Sequence, residues 1–271
     1  MPADRDPRAW WLDDDPFDKK DYTERRNNKT TQSSSNSFEQ NPFQDILNDY
    51  FGGRQRYNIP IHRGSIWHFS RIEIKHLTQA TMAFTLALAF MGTRGIFGAL
   101  NSPTVFIYWG LLYFISLTPA FLLHEIAHKI VARRYGCWAE FRANPSGLRF
   151  GVILAAVLAI VFMAPGAVMV SGRTTRTQFG RIALAGPVTN VVLWSIGIIG
   201  AFLLGGLNDH LDQMLRTWLW GNSILAAFNM LPFGPLDGKK IKTWSETVFY
   251  VWLSITLATV WITLNYTSDI L

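Results

Sequence analysis

Phe121-Leu122-Leu123-His124-Glu125-Ile126-Ala127-His128 closes an apolar run that begins near residue 103, where a membrane-spanning helix is the expected structure. On a helix, positions i and i+4 share a face, so His124 and His128 can present two imidazole nitrogens to one metal ion. Glu125 then sits beside that ion as a candidate general base. Two helix histidines bonded to ordinary neighbours, with a glutamate adjacent by accident, are the plainer alternative. Within hydrocarbon, however, one ionisable group costs about 2.5 kcal/mol or more. Three together demand a reason.

The composition agrees with a membrane setting. Of 271 residues, 49% are hydrophobic and only 16% charged, against about 25% charged in soluble domains. The single cysteine, Cys137, excludes an intramolecular disulfide framework and a cysteine-rich zinc knuckle. The net charge of +6 lies largely in short loops beside apolar segments, so it reads as membrane topology and not as a nucleic-acid surface.

Three domains are expected. Residues 1–57 are polar and patchy, with Asp13-Asp14-Asp15 and Lys19-Lys20, and suit a disordered cytoplasmic tail. No early apolar block of the signal-peptide kind occurs there, so the tail is expected to persist in the mature protein. Within it, 41–51 places Phe43, Ile46, Leu47, Tyr50 and Phe51 at helical spacing. A membrane-proximal segment, 58–76, leads into the main domain, 77–271.

The main domain reads as an all-α polytopic membrane protein with five to six transmembrane helices. Five segments look able to cross a bilayer, about 77–100, 103–130, 182–206, 213–233 and 246–266. A sixth apolar run, 147–170, is interrupted by Pro165-Gly166 and ends rich in valine. Lys129, Arg133, Arg134, Arg142 and Arg149 precede or enter this run, and Arg173, Arg176 and Arg181 follow it. Both basic groups prefer the cytoplasm. The run should therefore return to its own side as a re-entrant or β-hairpin-like element after the HExxH helix. The N-terminus and the metal site then face the cytoplasm. Glu73, Arg94, Arg142 and Arg149 are expected to be solvated or snorkelling, and His62, His68, His76 and His210 to be ordinary surface or interfacial histidines.

Zinc in catalytic sites usually takes three protein ligands, and a carboxylate is a common third. Asp237 is the candidate, because it follows Asn229-Met230-Leu231-Pro232-Phe233-Gly234-Pro235-Leu236 at the end of a span. Its plainer reading is an Asp-Gly turn beside basic residues. To meet His124 and His128, Asp237 must lie at their membrane depth, which needs an even number of crossings in between. The spans 182–206 and 213–233 supply two, and a full crossing by 147–170 would spoil the parity.

These residues resemble the site-2 protease family of intramembrane zinc metalloproteases, the M50 peptidases. The likeness rests on His124-Glu125-Ile126-Ala127-His128, on Gly186-Pro187 with Asn190, and on 229–238, which is similar to the family's NxxPxxPxDG element; it covers about 70–266. It implies one Zn2+ per chain held by His124, His128 and Asp237. It also implies that Glu125 activates water and that Asn229 positions substrate or stabilises the oxyanion. Gly186, Pro187 and Asn190 are similar to a family packing motif, and small residues let helices approach closely in lipid. No segment has the pattern of a PDZ or nucleotide-binding regulatory domain, as in a prokaryotic type without a PDZ domain. The activity so implied is hydrolysis of a peptide bond in or near a transmembrane segment of a membrane-protein substrate. The alternative is a silent zinc-containing membrane binding protein on the same fold. The stretch 139–170 looks like an enlarged form of the family's strand-forming loop, suited either to pairing with an unwound substrate or to buttressing the active-site helices.

Overall fold

The computed structural model describes residues 65–163 and 165–270. The polar tail, the helix expected over 41–51, the first part of the membrane-proximal segment and His62 lie outside the described residues.

Helix α1 spans Arg71–Gly92, the short α2 Ile96–Asn101, and α3 Pro103–Arg134, which carries the HExxH. Strand β1 (Trp138–Ala143), helix α4 (Pro145–Leu158) and strand β2 (Gly166–Ser171) follow. Helix α5 (Arg176–Leu204) and α6 (Asp209–Asn229) form an antiparallel pair, and α7 (Asp237–Trp244) and α8 (Glu246–Ile270) complete the chain. Local chemistry sets these starts. Ser70 caps α1 by accepting from the Glu73 amide, Asn144 caps α4, Thr175 and Gln178 form a reciprocal capping box on α5, and Asn208 caps α6.

The membrane reading holds with a smaller set of spans. By length and composition, three helices among the described residues can cross a membrane: Pro103–Arg134, Arg176–Leu204 and Glu246–Asn265. The segments expected to span at 77–100 and 213–233 form long helices that fall outside this set. The first breaks after Gly92, where Arg94 adopts a positive φ of 59° and Gly95 one of 93°. The second begins with Asp209, Asp212 and Arg216 on its early turns, too polar for a fully apolar window. Phe202 and Leu203 are 71% and 74% exposed near the end of α5, a surface suited to lipid.

The run 147–170 does not make one helix. Ala159 takes a left-handed conformation that ends α4, and after Pro165 the chain turns into β2. That strand pairs antiparallel with β1, from Trp138 opposite Ser171 to Ala143 opposite Gly166. The hairpin-like element is therefore a two-stranded sheet with a helix inserted between its strands. Phe121 of α3 lies edge-on to Phe141 of β1 with centroids 5.9 Å apart, and Ala80 and Leu148 join that cluster.

Several charges depart from expectation. Glu73 is 1% exposed and not solvated. It makes a buried ion pair with Lys129, whose ammonium also lies over the Phe69 ring. Lys129 and Arg133, counted above as loop cations, are buried within α3, so neither reports topology directly. The physical reason is pairing. Lys129 meets Glu73, and Arg133 donates to the carbonyls of Ser65, Ile66 and His68. Arg142 is largely enclosed and pairs with Glu140 at 2.8 Å, while Arg94 and Arg149 are exposed as expected.

Candidate metal centre

His124 and His128 lie on successive turns of α3, with ring centroids 4.7 Å apart. Asp237, the first residue of α7, reaches them from the other end of the domain's sequence. Its Oδ2 lies 3.4 Å from His124 Nε2 and 3.0 Å from His128 Nε2. All three side chains are buried, and one donor atom from each falls within 4.8 Å of the others. Two imidazoles and a carboxylate so gathered suit zinc, with room left for a non-protein ligand. The antiparallel helices α5 and α6 lie between the two halves in sequence and return the chain to the level of the histidines.

The far side of each ring fixes its tautomer. His128 Nδ1 sits 2.7 Å from the Ile182 carbonyl, which only accepts, so Nδ1 carries the proton and Nε2 keeps its lone pair toward Asp237. His124 Nδ1 lies 2.5 Å from Asn190 Oδ1. An amide can be turned either way, but the Asn190 orientation is set by its neighbours. Asn190 Nδ2 donates to the Ala120 carbonyl and to Asn222 Oδ1, each at 3.1 Å. Asn222 Nδ2 in turn donates 2.9 Å to the Trp218 carbonyl. A chain of two amides, ending on a backbone acceptor, thus leaves Asn190 Oδ1 to accept from His124 Nδ1–H.

Ile182, Gly186 and Asn190 repeat every four residues along α5, so one helix face meets both rings. At Gly186 a Cβ would lie 2.5 Å from His124 Nε2 and from His128 Nε2. Only glycine fits there. Asn190 was read from sequence as packing, yet it is fully buried and bonds a candidate ligand directly. Asn222 and Ile182 were not singled out at all. The fourfold spacing of 182, 186 and 190 was the available signal.

The packing of α7 holds Asp237 in place. Ile241 of α7 is buried against Ala183, Met230 and Phe249, and a Cβ on Gly238 would strike the Met230 carbonyl. Lys240 donates to Asp237 Oδ1 at 2.8 Å. Burial opposes the charge on Asp237, but the imidazoles that face it and the ammonium of Lys240 outweigh that cost. The carboxyl is held well below the usual carboxylate range. It is therefore an ionised ligand at neutral pH.

Glu125 is half-buried and lines a cavity of about 630 Å3 together with His124, His128 and Asp237. Apolar side chains make most of its wall, among them Phe84, Leu117 and Phe228, and so does the stretch 165–170 of β2 and its approach. Asn229 lines the same cavity with its Nδ2 bonded back to the Leu225 carbonyl at 3.0 Å. All five residues expected at the site, His124, Glu125, His128, Asn229 and Asp237, are thus brought to one cavity.

No family model matches the chain, and no solved structure matches it. Among curated proteins it is similar to the Methanocaldococcus jannaschii protein named putative zinc metalloprotease MJ0611. The two are 38% identical over 191 residues, covering 69% of this chain and 92% of that protein. It is also similar to putative zinc metalloprotease YwhC of Bacillus subtilis, 31% identical over 145 residues, covering 47% of this chain and 65% of YwhC. Putative zinc metalloprotease Rip3 of Mycobacterium tuberculosis is 32% identical over 164 residues, which are 58% of this chain and 36% of Rip3.

Proposed function

The chain belongs to the site-2 protease family of zinc metalloproteases, and we propose that it is an intramembrane endopeptidase of the M50 type, cutting a membrane protein in or near a transmembrane segment. The observation that carries this reading is the meeting of His124, His128 and Asp237 beside Glu125 in a cavity with mostly apolar walls. His124, His128 and Asp237 hold the ion, and Asn190 and the Ile182 carbonyl keep the rings aimed. Zinc bound there supplies Lewis acidity, which makes water a stronger acid and polarises a carbonyl. Glu125 takes the proton from water and returns it to the leaving amine. Asn229 lines the cavity near these groups, where its amide can orient the substrate carbonyl.

Substrate presentation follows from the sheet. Phe141 N donates to Glu73 Oε1 at 3.1 Å and Ala143 N to His76 Nδ1 at 3.4 Å. The outer edge of β1 is therefore covered by side chains of α1. In an antiparallel ladder, the partners of outward-facing residues also face outward. Gly166 and Val168, opposite Ala143 and Phe141, thus turn their backbone groups to the far edge of β2, next to the cavity. An unwound substrate segment can add there as a third strand, its amides replaced one for one. Substrates with helix breakers near the cut are cleaved faster, because a helix hides its carbonyls in its own hydrogen bonds.

The test compares the purified wild type with Glu125→Gln on a panel of single-span substrates. Cleavage by the wild type alone, with equal zinc in both proteins, supports the reading. Equal zinc with no cleavage by either identifies a silent binder. The active site faces the cytoplasm in this proposal, as exposed Arg134, Arg149, Arg173, Arg176 and Arg181 favour. Thr174→Cys reports on this cleanly, since Cys137 is only 1% exposed. Labelling from the external side alone contradicts the orientation.

A further inference from the structure

A second pocket, of about 340 Å3, lies at the opposite end of α3 from the metal centre. Trp109 and Tyr113 of α3, Gln213 and Arg216 of α6, and Thr263 and Leu264 of α8 form its wall. His124 is three turns beyond Tyr113, roughly 16 Å along the helix. Met91 and Trp220 line both cavities, so the two share a wall.

Its chemistry is one-sided. The Arg216 guanidinium, the Gln213 carboxamide, the Trp109 indole N–H and the Tyr113 hydroxyl all border it, and none has a hydrogen-bond or ion-pair partner among the described residues. No carboxylate among the described residues borders it. Gln213 and Arg216 stand three residues apart on one helix face, and Trp109 stacks on Tyr113 with centroids 5.3 Å apart. Four donor groups, one of them a cation, with no acid among the described residues make a receptor for an anion with several acceptor oxygens. Apolar surface reaches its rim, where Leu264 in the pocket wall is 67% exposed. A soluble anion has no use for such surface, whereas a lipid has an acyl chain to lay on it. Trp and Tyr are also the residues that favour the headgroup level of a bilayer.

We propose that this pocket binds the phosphate of a membrane phospholipid through Arg216, Gln213, Trp109 and Tyr113, with the acyl chain running over Leu264. The lipid then packs on the wall formed by Met91 and Trp220, so its occupancy shapes the neighbouring cavity.

The test uses full-length, zinc-loaded protein in neutral detergent micelles. Phosphatidylglycerol with brominated acyl chains is titrated in, and quenching of tryptophan fluorescence is followed. Saturable quenching is expected, with half-saturation raised by about fivefold or more in Arg216→Ala and Arg216→Gln. Brominated diacylglycerol, with the same chains and no phosphate, should give no saturable phase. Zinc content at the distant metal centre serves as the fold check. If both Arg216 variants lose zinc, Gln213→Leu is read in their place and must also weaken binding. Unchanged half-saturation in the variants, or equal binding of diacylglycerol, overturns the proposal. Displacement by inorganic phosphate at the lipid's own concentration also overturns it, in favour of a soluble-anion site.

Discussion

Replacing Asn190 by alanine removes the side-chain acceptor bonded to His124 Nδ1 and, with it, the reason for that ring to keep Nε2 toward Asp237. Loss of such a partner behind a ligand histidine typically weakens metal binding by about 10–100-fold. That is about 1.4–2.7 kcal/mol of zinc affinity. Fold stability falls as well, because Asn222 Oδ1 loses its donor in a buried site, at about 1–3 kcal/mol. The two effects separate through Asn190→Asp. Its carboxylate still accepts from His124 Nδ1–H but cannot donate to the Ala120 carbonyl or to Asn222. Asn190→Asp is therefore expected to keep more zinc affinity than Asn190→Ala while remaining destabilised. Zinc affinity is measured by competition with a chromophoric chelator, and stability by thermal unfolding of the zinc-free protein in detergent. If folded Asn190→Ala binds zinc within about twofold of wild type, the amide chain does not hold the ligand and the tautomer argument fails.

Gly186→Ala places a methyl group against both imidazoles, and zinc content should drop to near zero with helical circular dichroism retained; normal zinc there would show that the α3 and α5 faces can part. Zinc release on acidification should take up about two protons, one per imidazole. The Asp237 carboxyl has a depressed pKa, so its contribution is kept above the usual carboxylate range and lost only well below it; uptake of a third proton in the same step would contradict this. Glu73→Gln or Lys129→Met alone strands a buried charge and should destabilise by about 3–5 kcal/mol, whereas the double variant should cost clearly less than either. Additive losses in thermal unfolding would mean that the two groups do not act as a pair.

The candidate metal centre was legible because its residues carry their chemistry in their spacing. His124, Glu125 and His128 define a helix face by themselves, and Asp237 stood out as a lone carboxylate at the end of a later apolar span, from which the shared depth followed. Charge counting served less well. Lys129 and Arg133 are indistinguishable in sequence from Arg134, yet they are buried and only Arg134 is exposed. Their partners, Glu73 and the carbonyls of residues 65–68, lie more than 55 positions away, a separation that no local pattern reveals. The helices Arg71–Gly92 and Asp209–Asn229 mixed polar and apolar residues for a related reason. Part of each meets protein or a polar pocket, so their composition is an average over unlike surroundings.

The burial of Glu73 and Lys129 also explains why the sheet can offer one free edge and not two. A two-stranded sheet has two exposed edges, each a row of unpaired amides and carbonyls. Glu73 covers one by accepting from Phe141 N, and Lys129, one residue after His128, pairs with it there. The same ion pair thus ties β1 to the metal-bearing turn of α3. The far edge of β2 is left against the cavity that holds Glu125. Expensive as a buried ion pair is, this one fixes the distance between the strand that would present a substrate backbone and the histidines that would hold the ion. An apolar pair of the same volume could stabilise the helices equally well, but it would leave the Phe141 amide without that acceptor. Specific placement of the strand against the metal site is what the charges accomplish.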